Sequence, residues 1–283
     1  VNNSLFEILS RIYFFEAIGF LLIIIVHELG HLIGGKLTGW KFYSFRVFCF
    51  VLLKENGRLR FKFSPSFLLG QCIMSPPEIK DFKFLLYNAG GGLTNFVLAG
   101  LLFIPLVLVH GAEFLLPGAG TTGSFFYDWL LFTGITSIFI GIMNLIPMVY
   151  PIVGVPNDGR NIVELLKSRE AQKGFYLAFK QAYELSQGKK QREFSPITIS
   201  EDTKLGNYFV ANMVIMEASR LIDLGEYESA LVQLSRLEQF HKKLPPYYQR
   251  LAKTVTAKAE NLRITKFINE DGCFPNIQTS AQR

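Results

Sequence analysis

The sequence predicts a mostly α, polytopic membrane protein with three spanning helices, a β-hairpin between the first two, and a helical tail. Three observations predict it. Apolar residues make up 49% of the 283-residue chain, yet most of them fall before about residue 155. Three apolar runs in that part are long enough to cross a bilayer, which takes about 20 residues as a helix. Beyond it the chain turns polar and keeps a helical pattern, as soluble segments do.

The charge balance narrows the partners. A net charge of +6 and a pI near 9.1 suit nucleic acid or an anionic membrane surface equally. Here the basic residues lie between apolar runs, and the chain has no zinc finger, RNP-like motif or basic recognition helix. A lipid bilayer is the expected partner and nucleic acid is not. Cys49, Cys72 and Cys273 are odd in number and far apart, so they form neither a disulfide framework nor a CxxC metal pair.

The first run covers Ile12 to Leu37 and is too long for a cleavable leader. It is interrupted by Glu16 and by His27-Glu28-Leu29-Gly30-His31. Glu16 lies close to three helical turns before His27, so it either lines a water path or sits hydrated near the outer interface. From Ser44 to Phe63, two aromatic and β-branched stretches flank Lys54-Glu55-Asn56-Gly57, and Asn-Gly between such stretches signals a hairpin. In its second strand Arg58, Arg60 and Lys62 alternate with Leu59, Phe61 and Phe63, giving one basic and one apolar face. A further apolar stretch, Leu68 to Met74, ends at Pro76-Pro77.

The second span is read from Phe84 to Val109 and contains Gly90-Gly91-Gly92 and Asn95. The third runs from Phe125 to Val149 and ends in Asn144-Leu145-Ile146-Pro147. A Pro- and Gly-rich stretch leads to Asn157-Asp158-Gly159 and a short amphipathic helix. From Arg169 the tail is helical by pattern, with a charged, Pro-broken linker from Gly188 to Lys204. Gly225-x-Tyr227-x-x-Ala230 at a helix–turn–helix junction resembles part of a tetratricopeptide unit, and a plain helical hairpin explains it as well. A last helix runs from Pro246 to about Ile264. The expected organisation is a transmembrane core over 1–168, a helix and linker over 169–203, and a helical domain over 204–283.

Orientation follows from lysine and arginine in short loops. Lys41, Arg46, Lys54, Arg58, Arg60, Lys62, Lys80 and Lys83 all fall between the first two spans, and the loop from Gly111 to Ser124 has none. The hairpin side and the tail are therefore expected in the cytoplasm, with the N-terminus outside.

The chemistry centres on His27 and His31. At i and i+4 they share one helix face and can hold one Zn²⁺, with Glu28 beside them to take a proton from zinc-activated water. Two histidines and a glutamate in a spanning helix are costly without a partner, since one charge at the helix centre costs about 3 kcal/mol. A catalytic zinc needs a third ligand, and a carboxylate from elsewhere is the natural one. Depth is compatible with a shared site: at 1.5 Å per residue, His27 lies roughly 14 Å from Lys36 and Asn95 roughly 18 Å from Lys83.

The HExxH in a spanning helix, the Gly-rich stretch with Asn in the next, and the later Asn-x-x-Pro leading to Asp-Gly resemble the site-2 protease family over residues 12 to 167. The resemblance implies a three-helix site-2 protease core and an intramembrane zinc endopeptidase of regulated intramembrane proteolysis, acting on a transmembrane protein substrate. It implies His27, His31 and Asp158 as zinc ligands and Glu28 as the catalytic base. It implies Asn95 as a residue that binds substrate or steadies the oxyanion, and Asn144 with Pro147 as the Asn-x-x-Pro element, Asn144 touching substrate. The hairpin resembles the family's membrane-associated one, and Gly70 belongs with that sheet-like region as a substrate contact. A multi-pass place in a bacterial plasma membrane follows, and the tail is open to recruiting substrate or another cytoplasmic protein, holding a regulator, or self-association. The chain departs from the family in the long stretch Met148 to Asn157, which must loop back for Asp158 to reach the metal, and in having Gly92 where the family has proline. Asp128 is the rival third ligand. Two other functions compete: an inactive zinc-binding membrane scaffold recruiting partners through its tail, and a small transporter using intramembrane His and Glu.

Overall fold

The computed structural model describes residues 5–55, 57–65, 69–112 and 124–270. Asn56, Leu68, Cys273 and most of the loop between the second and third spans lie outside the described residues. The chain forms two compact units, one of Val1–Tyr150 with Pro156–Leu166, the other of Pro151–Val155 with Lys167–Arg283.

The first unit is built on α1 (Leu5–Leu37), α2 (Leu85–His110) and α3 (Phe125–Leu145). Tyr13–Leu37 of α1, and α2 and α3 whole, are long and apolar enough to cross a membrane. Large apolar side chains such as Leu29, Val97, Leu101, Phe132 and Phe139 are exposed along all three, as suits surfaces whose solvent is lipid. The third helix stops at Leu145 rather than reaching Val149. Pro147 is the reason, because the residue before a proline avoids the helical region, and Ile146 is extended with φ −70° and ψ 123°.

Glycines set how closely the spans approach. A Cβ on Gly30 would collide with the Gly90 carbonyl and the Thr94 hydroxyl, and one on Gly34 with the Leu86 carbonyl. The helices therefore cross backbone to backbone, as small residues permit in membranes, and Thr94 Oγ1 donates across to Val26 O at 3.0 Å. Successive helix residues turn by about 100°, so Gly90, Gly91 and Gly92 face three different neighbours. Gly90 meets α1, Gly91 meets the two histidines, and Gly92 meets Leu145 of α3.

Between α1 and α2 lies a four-stranded antiparallel sheet rather than a lone hairpin. Its strands are β1 (Lys41–Val47), β2 (Phe50–Glu55), β3 (Arg58–Phe63) and β4 (Gly70–Ser75), in the order β3-β2-β1-β4. The expected β2–β3 turn is there, with Glu55 opposite Arg58 and Gly57 at φ 77°. The first stretch breaks into two strands at Phe48-Cys49, and Phe48 takes a positive φ of 51°. Its amide donates to Leu69 O at 2.7 Å, and Arg46 reaches the Ser64 carbonyl at 2.7 Å. Gly70 begins β4, which among the described residues pairs with β1 on one side only.

After α3 the chain bulges and returns through a single antiparallel bridge, Val149 with Pro156. Asn157 then caps α4 (Asp158–Lys167), its Oδ1 accepting from Arg160 N at 2.9 Å.

The second unit packs α5 (Arg169–Ser186), α6 (Tyr208–Leu224), α7 (Tyr227–Ser235) and α8 (Pro246–Glu270). The α6–α7 hairpin turns at Gly225, which is left-handed at φ 82°, and Ala230 is fully buried behind it. Residues 188–204, read from sequence as a linker, are pinned to the unit. Glu217 accepts from Ile197 N at 2.9 Å while paired with Arg220, and Arg236 donates to the Ser200 carbonyl at 2.7 Å.

Candidate metal centre

His27 and His31 lie one turn apart on the buried face of α1, where it crosses α2. Their Nε2 atoms face each other at 3.2 Å, and Asp158 Oδ2 lies 3.3 Å from each. These three residues form a group able to hold a metal ion among the described residues.

The donor set fits a cation. His31 Nδ1 lies 2.7 Å from the Tyr87 carbonyl, which can only accept, so Nδ1 carries the proton and Nε2 presents its lone pair. Asp158 Oδ2 is buried without a hydrogen-bond partner, so three electron-rich atoms converge on one point. Their spacing also suits zinc: bonds of about 2.0–2.1 Å in a tetrahedron put ligand atoms about 3.3 Å apart. Gly91 keeps the space open, since a Cβ there would lie 2.5 Å from His27 Nε2 and 2.6 Å from His31 Nε2.

Asp158 reaches this position through Asn157, a residue the sequence reading passed over. Its Nδ2 donates to the Met143 and Ile146 carbonyls at 2.7 and 2.6 Å, groups left open where α3 ends. Its Oδ1 accepts from Met148 N and Arg160 N. One buried amide thus ties the end of α3 to the start of α4, and Asp158 is the first residue of that helix. Gly159 permits the contact, because a Cβ would strike the Leu145 carbonyl. An Asn just ahead of Asp-Gly and an amphipathic run is an N-cap signal that could have found it.

Glu28 is buried beside the pair and turns toward β4, where it accepts from the Cys72 amide. The Tyr87 hydroxyl donates to the Cys72 carbonyl at 2.6 Å, and the Tyr87 ring stacks on Trp40 at 4.3 Å. Gly70, at the start of the same strand, lies against Glu28; a Cβ would sit 2.9 Å from the Glu28 carboxyl carbon. Asn95 is fully buried with its Nδ2 3.2 Å from His27 Nδ1 and its Oδ1 without a partner, and Ser137 donates to its main-chain carbonyl at 2.8 Å.

Asn144 is engaged elsewhere: Nδ2 donates to Ile140 O at 3.0 Å and Oδ1 accepts from the Tyr150 hydroxyl at 2.7 Å. Burial pushes the Tyr150 phenol up to about 12, so it stays a donor at neutral pH. Asp128 sits in the first turn of α3, and Glu16 is half-buried in α1; neither joins the His27–His31–Asp158 group.

The model of Peptidase family M50 matches residues 15–179, a stretch that contains α2, α3, the sheet and all the residues of this centre. No curated protein and no solved structure matches the chain.

Proposed function

The chain belongs to Peptidase family M50, and on that premise we propose that it is a zinc endopeptidase hydrolysing a peptide bond in or near a membrane-spanning segment of another protein. The observation that carries the reading is the triangle of His27 Nε2, His31 Nε2 and Asp158 Oδ2, with Glu28 next to it. Zinc held there supplies a Lewis acid for the scissile carbonyl and makes water acidic enough to ionise near neutral pH.

The chain's own groups do the rest. Glu28 takes the proton of the attacking water on its carboxylate and returns it to the leaving amine. Asn95 has two tasks. With both Nε2 lone pairs turned to the point they share with Asp158 Oδ2, the His27 proton sits on Nδ1 and needs an acceptor. The structure sets Asn95 Nδ2 against that Nδ1 and leaves Oδ1 buried and unpaired, which costs about 1–3 kcal/mol, so we read the amide turned end for end with Oδ1 as the acceptor. Turned that way, Asn95 orients His27 and leaves Nδ2 to donate to the oxyanion.

A spanning helix must unwind before its carbonyls can react. The open edge of β4 offers strand pairing to an unwound segment, and Gly70 lets that segment come close to Glu28. Asn144 accepts from the Tyr150 hydroxyl at the end of α3 and is the substrate contact that the family resemblance implies there. From the basic residues between the first two spans, the sheet and tail lie on the cytoplasmic side of a bacterial plasma membrane, and the tail recruits a cytoplasmic protein. An inactive scaffold has no observation in its favour, because Glu28 is intact and buried beside the centre.

Purified chain is expected to cleave a helical membrane substrate in proteoliposomes. Glu28→Gln should abolish cleavage and keep its zinc. Undiminished cleavage by that variant removes Glu28 from the chemistry.

A further inference from the structure

The loop that departs from the family pattern, Met148 to Asn157, is fixed at two places. Its neck is closed by the Val149–Pro156 bridge and by Asn157 N donating to Met148 O at 3.1 Å. Its tip, Pro151–Val155, belongs to the second compact unit. There the Tyr247 amide donates to the Gly154 carbonyl at 3.1 Å, and the Arg250 guanidinium donates to the Val153 carbonyl at 2.6 Å. Gly154 has a φ of +69°, and a Cβ on it would lie 2.6 Å from Pro246 Cβ. So the start of α8 grips two consecutive carbonyls of the tip, and only glycine allows the fit.

Chain connectivity makes this grip matter for the metal. Three peptide units separate Val155 from Asp158, a reach of about 10 Å at most. Pro151 and Pro156 lack amide donors, so the loop holds itself by few bonds of its own. We propose that Arg250, with Pro246 and Tyr247, is a positioning residue for Asp158, acting through the tip of the loop that carries this ligand. The proposal rests on the reading of Asp158 as the third zinc ligand. It gives the helical tail a part in the centre that needs no contact with substrate: whatever binds the tail and shifts the start of α8 changes how firmly the metal is held.

The test uses the full chain in lipid nanodiscs. Amide exchange is followed at Asn157, in metal-free protein, and zinc release to a chromophoric chelator is followed in zinc-loaded protein. Gly154→Ala and Arg250→Ala should each raise both rates by about tenfold, the scale on which losing a group that orients a ligand weakens a metal site. Arg250→Lys should restore part of the retention. Arg263→Ala, which breaks an exposed α8 ion pair with Glu228, should leave both rates unchanged. Equal exchange in wild type and both clasp variants overturns the proposal. So does faster exchange with unchanged zinc release, or an equal effect from Arg263→Ala. A wild-type chain that takes up no zinc refutes the underlying metal reading instead, and exchange in the metal-free protein separates the two failures.

Discussion

Asn157 uses both ends of its amide on one corner of the fold, and the position of Asp158 next to it depends on that corner. Replacing it with alanine removes the α4 cap, worth about 1 kcal/mol. It also removes the donor to the Met143 and Ile146 carbonyls, which are part-buried, so each loss costs less than the about 1–3 kcal/mol of a fully buried group. Asn157→Ala should therefore unfold at lower temperature and bind less than one zinc per chain, both measurable on purified protein. Asn157→Asp keeps the capping oxygen but turns a carboxylate on two carbonyls, so it should not rescue zinc content. A full complement of zinc in either variant would detach Asp158 from this latch. The residues of the centre were unequally legible. His27, Glu28 and His31 follow from spacing on one helix. Asp158 came only through family resemblance, because nothing local ties an Asp-Gly to a helix 127 residues upstream. The Tyr87 carbonyl that sets the His31 tautomer has no sequence signature at all, since any residue type carries one.

Among the elements, the Gly90-Gly91-Gly92 run is the most exposed to a simple test. Gly91 faces the imidazoles while its neighbours face α1 and α3. Gly91→Ala should abolish zinc binding with the helices still assembled, because the added methyl occupies the space between the ligand nitrogens. Gly90→Ala should instead push α1 and α2 apart and lower thermal stability, because it strikes backbone that cannot yield. Zinc content and far-ultraviolet circular dichroism read the two effects separately, and normal zinc in Gly91→Ala would argue against a metal between those rings. The sheet shows what patterns reveal and hide. The β2–β3 turn was readable because Asn-Gly suits positive φ. The β1–β2 turn was not, because an aromatic at φ 51° is no turn former; hydrogen bonds to Leu69 and Ser64, just outside β4 and β3, hold it there. Strand β4 announced itself only as an apolar stretch, since its partner β1 is distant in sequence.

At the scale of the molecule, the three helices long and apolar enough to cross a membrane were legible from length and hydropathy, and the end of the third was misplaced, by the proline that follows it. The division of the chain was less legible. The tip of the 148–157 loop groups with the tail although it lies between two elements of the first unit, and composition does not carry such long-range membership. Membrane sidedness is testable on the whole chain. A cysteine in place of Lys54, with Cys49 and Cys273 changed to serine, should react with an impermeant maleimide in inside-out vesicles and not in intact cells. The reverse pattern would invert the topology argued from the basic residues.

Zinc K-edge X-ray absorption of the purified, zinc-loaded chain tests the centre most directly. The expected spectrum has four light-atom neighbours at about 2.0–2.1 Å, with the multiple scattering of two imidazoles and loss of one oxygen neighbour in Asp158→Ala. Sulfur neighbours, or a wild-type spectrum unchanged by Asp158→Ala, would contradict it.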